Sequence, residues 1–389
     1  MPKLAPGVRL LRSLTRAAKS QQKTLVKLLD AYATPTPTPA RKPRKSAPRK
    51  APPKRAVVQP APEVRRPARA DAPAASGSWL AGRYPLLRKP GQAVVPAMSY
   101  WLYIPQRMPD TVAQSGWPLV VMLHGCQQNA TQFAQGTRMN QLAEDKGYAV
   151  LYPEQPVSVQ TQRCWRWYDR STQQGGGDTR VLAALIRAVC ERHGIDRRRI
   201  YACGLSAGAG MAAILALNHP ELIAAVGLHS GPVFGAGHGP LGALHVMRHG
   251  APLQAEGAIP GLLQRRATQA SPAGVRSMPP MPALLIQGED DQVVHPVNQR
   301  QLARQWLQLN GLPPGPATRV AVKPAGRGGS RHAHEIHDYV VGRKVLLRVV
   351  SVAGLRHAWS GGDPAFEFNA KAGPDASRMM LEFLGRHRR

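Results

Sequence analysis

The stretch RIYACGLSAGAGMAAILALNHP, residues 199–220, decides how this chain reads. It opens as an apolar strand and ends as a small-residue, aliphatic run of helical character. Between the two stands Gly204-Leu205-Ser206-Ala207-Gly208. A serine flanked in this way, at a strand–turn–helix junction, has the setting of a nucleophile elbow. The turn is too tight for bulk two positions before or after the serine, hence Gly204 and Gly208. It lifts Oγ clear of the strand end and aims the N–H of Ala207 at a developing oxyanion. Ser206 is the candidate nucleophile, and Ala207 a candidate oxyanion donor.

Outward from that turn, short β-rich runs alternate with helical patterns. The runs are SYWLYIP (99–105), PLVVMLHG (118–125), YAVLYP (148–153), IAAVGLH (223–229), ALLIQG (283–288) and KVLLRVVSV (344–352). Nearly continuous apolar strands separated by helices predict an α/β fold, a mostly parallel sheet covered on both faces. One helix is clear over 178–194, with Asp178 as its expected N-cap and Gly194 as its stop. Two stretches, 232–280 and 312–343, look irregular. They are the expected places for a lid, the second as a surface insertion.

In such a sheet the triad partners follow the nucleophile in the order acid, then histidine. ALLIQG runs into Glu289, Asp290 and Asp291, and Asp291 is the best placed to orient an imidazole. KVLLRVVSV runs into Ala353-Gly354-Leu355-Arg356-His357, which makes His357 the base. His295, beside the acid loop, and His124 read as structural. The loop His124-Gly125-Cys126, after an earlier strand, is the expected source of a second oxyanion donor, the N–H of Cys126. His332, His334 and His337 carry no ligand pattern that implies a metal.

Together the segments LHGCQQNA, CWRWYD, QQGGGDTRVLAALI, GLSAGAGMAA, GEDDQVVHP, GLRHAWSGG and GPDASRMMLEFL resemble the type-I catalytic domain of short-chain polyhydroxyalkanoate depolymerases. These are esterases of the α/β-hydrolase superfamily. The resemblance covers most of 95–389. It implies cofactor-free hydrolysis of poly(3-hydroxybutyrate) or related esters through an acyl-enzyme, with the polymer or its granule surface as partner. Ser206, Asp291 and His357 match the family's triad positions, and Cys126 and Ala207 its oxyanion loops. Arg356 departs from the small glycine usual before the histidine. Feruloyl and acetylxylan esterases share the domain, so a small-ester carboxylesterase is the alternative. Trp165, Trp167 and Trp359 are candidates for lining an apolar substrate groove. A reading of another class is a nucleic-acid- or granule-binding protein whose hydrolase domain is vestigial.

Charge is concentrated at the N-terminus. Of 52 lysines and arginines, 18 fall in residues 1–75 against three of the 22 acidic residues. Residues 1–32 read as a basic amphipathic helix, 33–75 as an extended Pro/Lys/Arg-rich linker, and 76–389 as the catalytic domain. The tail suits an electrostatic grip on nucleic acid or an anionic surface. No apolar stretch approaches a membrane span, and the basic start is unlike a secretory signal. A cytoplasmic protein is therefore expected. Its four cysteines are then expected to be buried free thiols rather than bridges.

Overall fold

The computed structural model describes residues 75–85, 97–269 and 278–389. The helix expected over 1–32 and the linker expected over 33–75, its last residue apart, lie outside the described residues. Among the described residues ten strands form one sheet: β1 (Ser78–Pro85), β2 (Ala97–Ile104), β3 (Trp117–Leu123), β4 (Ala149–Glu154), β5 (Ile195–Leu205), β6 (Ala225–His229), β7 (Ala283–Gly288), β8 (Arg319–Lys323), β9 (His334–Val341) and β10 (Lys344–Val352). Their order is β1-β2-β4-β3-β5-β6-β7-β10-β9-β8. From β4 to β10 all neighbours are parallel, and β1, β2, β9 and β8 extend the two ends antiparallel.

β3 shows why a central strand reads as an unbroken apolar run. All seven of its residues are buried. Leu119, Val121 and Leu123 join one core, while Val120 and Met122 join the other. The two-residue period of a strand sends neighbours to opposite faces, and here both faces are covered.

The helices are α1 (Asp110–Ser115), α2 (Ala130–Thr137), α3 (Met139–Lys146), α4 (Arg170–Gln173), α5 (Gly177–Arg192), α6 (Ala207–Asn218), α7 (Gly239–His249), α8 (Pro252–Gln269), α9 (Val297–Leu309) and α10 (Ala376–Leu384). On one face of the sheet α5, α6 and α9 supply core residues such as Leu182, Leu215 and Trp306. On the other, α2, α3 and α10 supply Phe133, Met139 and Phe383. Helix α6 is buried from Ala207 to Leu217. That is why its sequence is apolar all round rather than amphipathic.

Three expectations are corrected. Asp178 lies inside the first turn of α5, and the N-cap is Gly176. The Asp178 carboxylate is engaged elsewhere, accepting from Gln155 Nε2 at 2.8 Å and from Arg166 N at 3.1 Å. The 312–343 stretch contains two sheet strands, β8 and β9, in place of a surface insertion; turn-rich flanks and five exposed residues in β8 mask their period. Within 232–280, α7 and α8 are regular helices fastened to α9. Gln305 Nε2 donates to Ala255 O (3.0 Å), Gln301 Oε1 accepts from Ala251 N (2.9 Å), and Asn298 Nδ2 donates to Met247 O (2.9 Å). Among the described residues, no helix is long and apolar enough to cross a membrane.

Candidate active site

Because β5, β7 and β10 run parallel, the loops that leave them emerge at one edge of the sheet. Ser206 follows β5, Asp291 lies three residues beyond β7, and His357 lies five beyond β10. Parallel order thus gathers residues 151 positions apart in the chain, the span from Ser206 to His357.

Ser206 has φ 57° and ψ −121°, a conformation that L-residues seldom adopt. It persists because its surroundings over-determine it. Its N–H donates to His229 O at 2.9 Å, and its carbonyl accepts from Gly210 N at 3.1 Å. A Cβ on Gly208 would collide with the carbonyls of Leu123 and His124, and one on Gly204 would strike the Gly208 backbone. The two glycines let β3, β5 and α6 close around the serine, the physical requirement expected of this turn.

Asp291 and His357 meet directly, with His357 Nδ1 2.8 Å from Asp291 Oδ2. The carboxylate is buried and fully engaged. Its Oδ1 accepts from Val293 N and Val294 N, each at 2.9 Å, and Oδ2 also accepts from Gln287 Nε2 at 2.9 Å. Burial alone would raise the Asp291 carboxyl. The adjacent His357 charge, its hydrogen bond and the two backbone N–H groups outweigh that and hold the carboxyl below its ordinary value. It stays ionised and faces the imidazole. Asp290 and Glu289 are exposed. Phe368 packs edge-on against His357, its ring centroid 6.5 Å away. Arg356 is exposed beside the base.

Cys126 and Cys164 form a disulfide, with Cα atoms 4.3 Å apart. The expectation of four free thiols is corrected for this pair, while Cys190 and Cys203 are buried and free. The bridge joins the expected oxyanion loop to CWRWYD across 38 positions, a proximity created by tertiary folding. The loop is tied further: Gly125 N donates to Gln128 Oε1 (2.9 Å), Gln127 N to Gln162 O (2.7 Å) and Gln128 Nε2 to Glu367 O (3.3 Å). Ala207 opens α6, where first-turn N–H groups have no partner within the helix. Opening the bridge with Cys126→Ser/Cys164→Ser should cost about 4 kcal/mol of stability if loop entropy dominates. It should also lower kcat, up to the roughly 10²-fold that a lost oxyanion donor costs. Denaturant melts and steady-state kinetics on a soluble ester check both, and unchanged kcat would separate the bridge from the site.

Two buried histidines brace the site. His124 Nε2 accepts from Gln155 N (3.2 Å), so Nδ1 carries the proton donated to Gly125 O (2.8 Å). His229, which the sequence did not single out, is fully buried at the end of β6. Its carbonyl holds Ser206 N, its Nε2 accepts from Ser360 N at 3.3 Å, and its ring stacks on Trp359. One residue thereby links the serine turn to the segment after His357. Burial pushes His124 down to about 4 and His229 down to about 3, the latter helped by the nearby His357 charge. Neutral in the fold, each takes a proton near 6.5 when unfolded. The stability they contribute is full above that value and is lost as pH falls toward the folded values. At about pH 5 the loss should be on the order of 2 kcal/mol per histidine. Urea midpoints at about pH 7 and pH 5 read it, and a flat profile would overturn it.

The tryptophans, which by type suit a substrate groove or the core, are buried. Trp165 and Trp359 are fully buried, and Trp167 is nearly so. Trp165 packs against His124, while Trp359 sits against Phe133 and His229 and donates from Nε1 to Ser377 Oγ at 3.1 Å. Their size suits a core role. His334 and His337 stand in β9 and His332 just before it; His337 lies 3.1 Å from Glu335 and His334 Nδ1 3.0 Å from His332 O. Among the described residues no group of three or more His, Cys, Asp or Glu is arranged to hold a metal ion.

The family model described as esterase PHB depolymerase matches residues 98–326. Feruloyl esterase B of Thermothelomyces thermophilus is 31% identical over 141 residues, 36% of this chain and 46% of that protein. Acetylxylan esterase A of Emericella nidulans is 32% identical over 130 residues, 33% of this chain and 40% of that protein. Poly(3-hydroxyalkanoate) depolymerase C of Paucimonas lemoignei is 26% identical over 257 residues, 66% of this chain and 57% of that protein. The chain thus spans about half the length of these curated relatives. In fold it is similar to an acetyl xylan esterase from Aspergillus awamori, with a TM-score of 0.57 at 19% identity, covering 74% of this chain and 94% of that one. With the family match taking in more than half of the sequence, including Ser206 and Asp291, the chain belongs to the esterase PHB depolymerase family of α/β-hydrolases.

Proposed function

We propose that this protein is a serine esterase that cleaves poly(3-hydroxybutyrate) or a related short-chain polyhydroxyalkanoate through an acyl-enzyme. The observation that carries the reading is the Asp291–His357 contact at the sheet edge that also presents the Ser206 turn. His357 Nε2 takes the proton from Ser206 Oγ as Oγ attacks the ester carbonyl. Asp291 holds Nδ1 protonated and steadies the imidazolium. The N–H groups of Cys126 and Ala207 stabilise the tetrahedral oxyanion. His357 then protonates the leaving alkoxide, and water, activated by the same imidazole, releases the acid. No step calls for a metal or an organic cofactor.

The match to the depolymerase family and the long alignment with the Paucimonas lemoignei protein favour the polyester. The higher identities to a feruloyl esterase and an acetylxylan esterase favour a second reading, a small-ester carboxylesterase with the same residues. Release of soluble 3-hydroxybutyrate from amorphous polymer granules separates the two. Release that requires Ser206 supports the polyester, whereas turnover of feruloyl or acetyl esters with untouched granules replaces it by the second reading. The Cys126–Cys164 bridge beside the site bears on location. A reducing cytoplasm seldom maintains such a bond, so an oxidising compartment fits better than the cytoplasm expected from the sequence.

A further inference from the structure

At the edge of the sheet opposite Ser206, the amino-terminal ends of β6, β7 and β10 frame a groove of about 810 Å³. That is the size range of sites that hold small ligands. Its walls are largely apolar: Pro220, Ile223, Pro279, Pro280, Pro282 and Leu346. Two exposed cations, Lys344 and Arg388, also face it. Among the described residues neither has a carboxylate within ion-pair distance.

The other charged groups of the lining are engaged. Glu221 binds Arg187 at 2.9 Å and His219 at 3.0 Å. Arg266 donates to Asn218 O at 3.2 Å, and Arg389 to Arg197 O at 2.9 Å. His387 adds a polar group to the same lining. It is 5% exposed and has a buried Nε2 without a hydrogen-bond partner. Buried polar atoms are seldom left so.

We propose that this groove binds a flexible chain ending in a carboxylate, the chain lying along the prolines and the carboxylate between Lys344 and Arg388. The apolar walls match the chain and the unpaired cations match the head. The basic N-terminal segment is excluded as occupant by its charge. A nucleic acid fits poorly, because no tryptophan, tyrosine or phenylalanine lines the groove to stack on a base. Two sources offer the same chemistry: a free fatty acid, and the carboxyl end of an oligoester. The second source rests on the polyester reading above, and the first does not.

The test uses the full chain carrying Ser206→Ala, which prevents turnover, titrated calorimetrically with decanoate, a linear 3-hydroxybutyrate tetramer and methyl decanoate. At least one acid should bind while the methyl ester does not, and the acid that binds names the source. Adding Lys344→Gln and Arg388→Gln should weaken binding roughly tenfold or more, about 1.4 kcal/mol. With Ser206 restored, the same pair should leave turnover of a soluble short ester unchanged. Both side chains are exposed and unpaired, so the fold does not depend on them. Binding of the methyl ester as tight as that of the acid, no binding by either acid, or undiminished affinity in the double variant would overturn the proposal. None of these outcomes touches the Ser206 chemistry, so failure here is distinct from failure of the esterase reading.

Discussion

Ser206→Ala should abolish ester hydrolysis, lowering kcat by roughly 10⁴- to 10⁶-fold, while leaving the fold in place. The loss corresponds to about 5–8 kcal/mol of transition-state stabilisation. Its size follows from the chemistry, since without Oγ no acyl-enzyme can form and only the oxyanion donors and substrate binding remain. The fold should survive because the backbone contacts that hold the turn, Ser206 N to His229 O and Gly210 N to Ser206 O, do not involve the side chain. Alanine also meets the positive φ at about the same cost as serine. Kinetics on a short activated ester, with a thermal melt alongside, provide the check. Activity within tenfold of the parent would remove Ser206 from the reaction.

Asp291→Asn should cost about 10⁴-fold in kcat, with a modest loss of stability as well. Asparagine can keep Oδ1 toward the N–H groups of Val293 and Val294. Its NH₂ then points where Oδ2 now receives both His357 and Gln287 Nε2. Against Gln287 this sets donor against donor. Against His357 it forces Nδ1 to accept, which moves the ring proton to Nε2 and blocks the proton transfer from Ser206. Asp290→Asn, one position away and exposed, should leave turnover near the parent value. Equal effects at the two positions would sink the assignment of Asp291.

The site residues were legible because each is tied to a local pattern. A strand followed by a tight glycine-flanked turn, an acid just after ALLIQG and a histidine just after KVLLRVVSV are short-range features, and the structure puts all three at strand ends. The parallel sheet was legible for the same reason, since strands covered on both faces lose their polar alternation. β1, β8 and β9 were missed where that reasoning fails. At the sheet's ends one or both faces meet solvent, so charges and small residues dilute the apolar run.

Long-range relations were not legible. The Cys126–Cys164 bridge joins two loops whose approach depends on how β3, β4 and α5 pack. His229 stood as one more strand residue until its carbonyl met Ser206 N and its ring met Ser360 N. By type alone the tryptophans suited a substrate groove or the core equally, and only packing shows them buried. The sequence by itself determined the parallel α/β architecture and singled out Ser206, Asp291 and His357, in that order, as the candidates, because periodicity and turn sterics act over a few neighbouring residues. Only the tertiary structure decided the disulfide, the bracing role of His229, the burial of the tryptophans and the groove that Lys344 and Arg388 help to line. Those depend on which distant segments the sheet order brings together, and no local pattern encodes that.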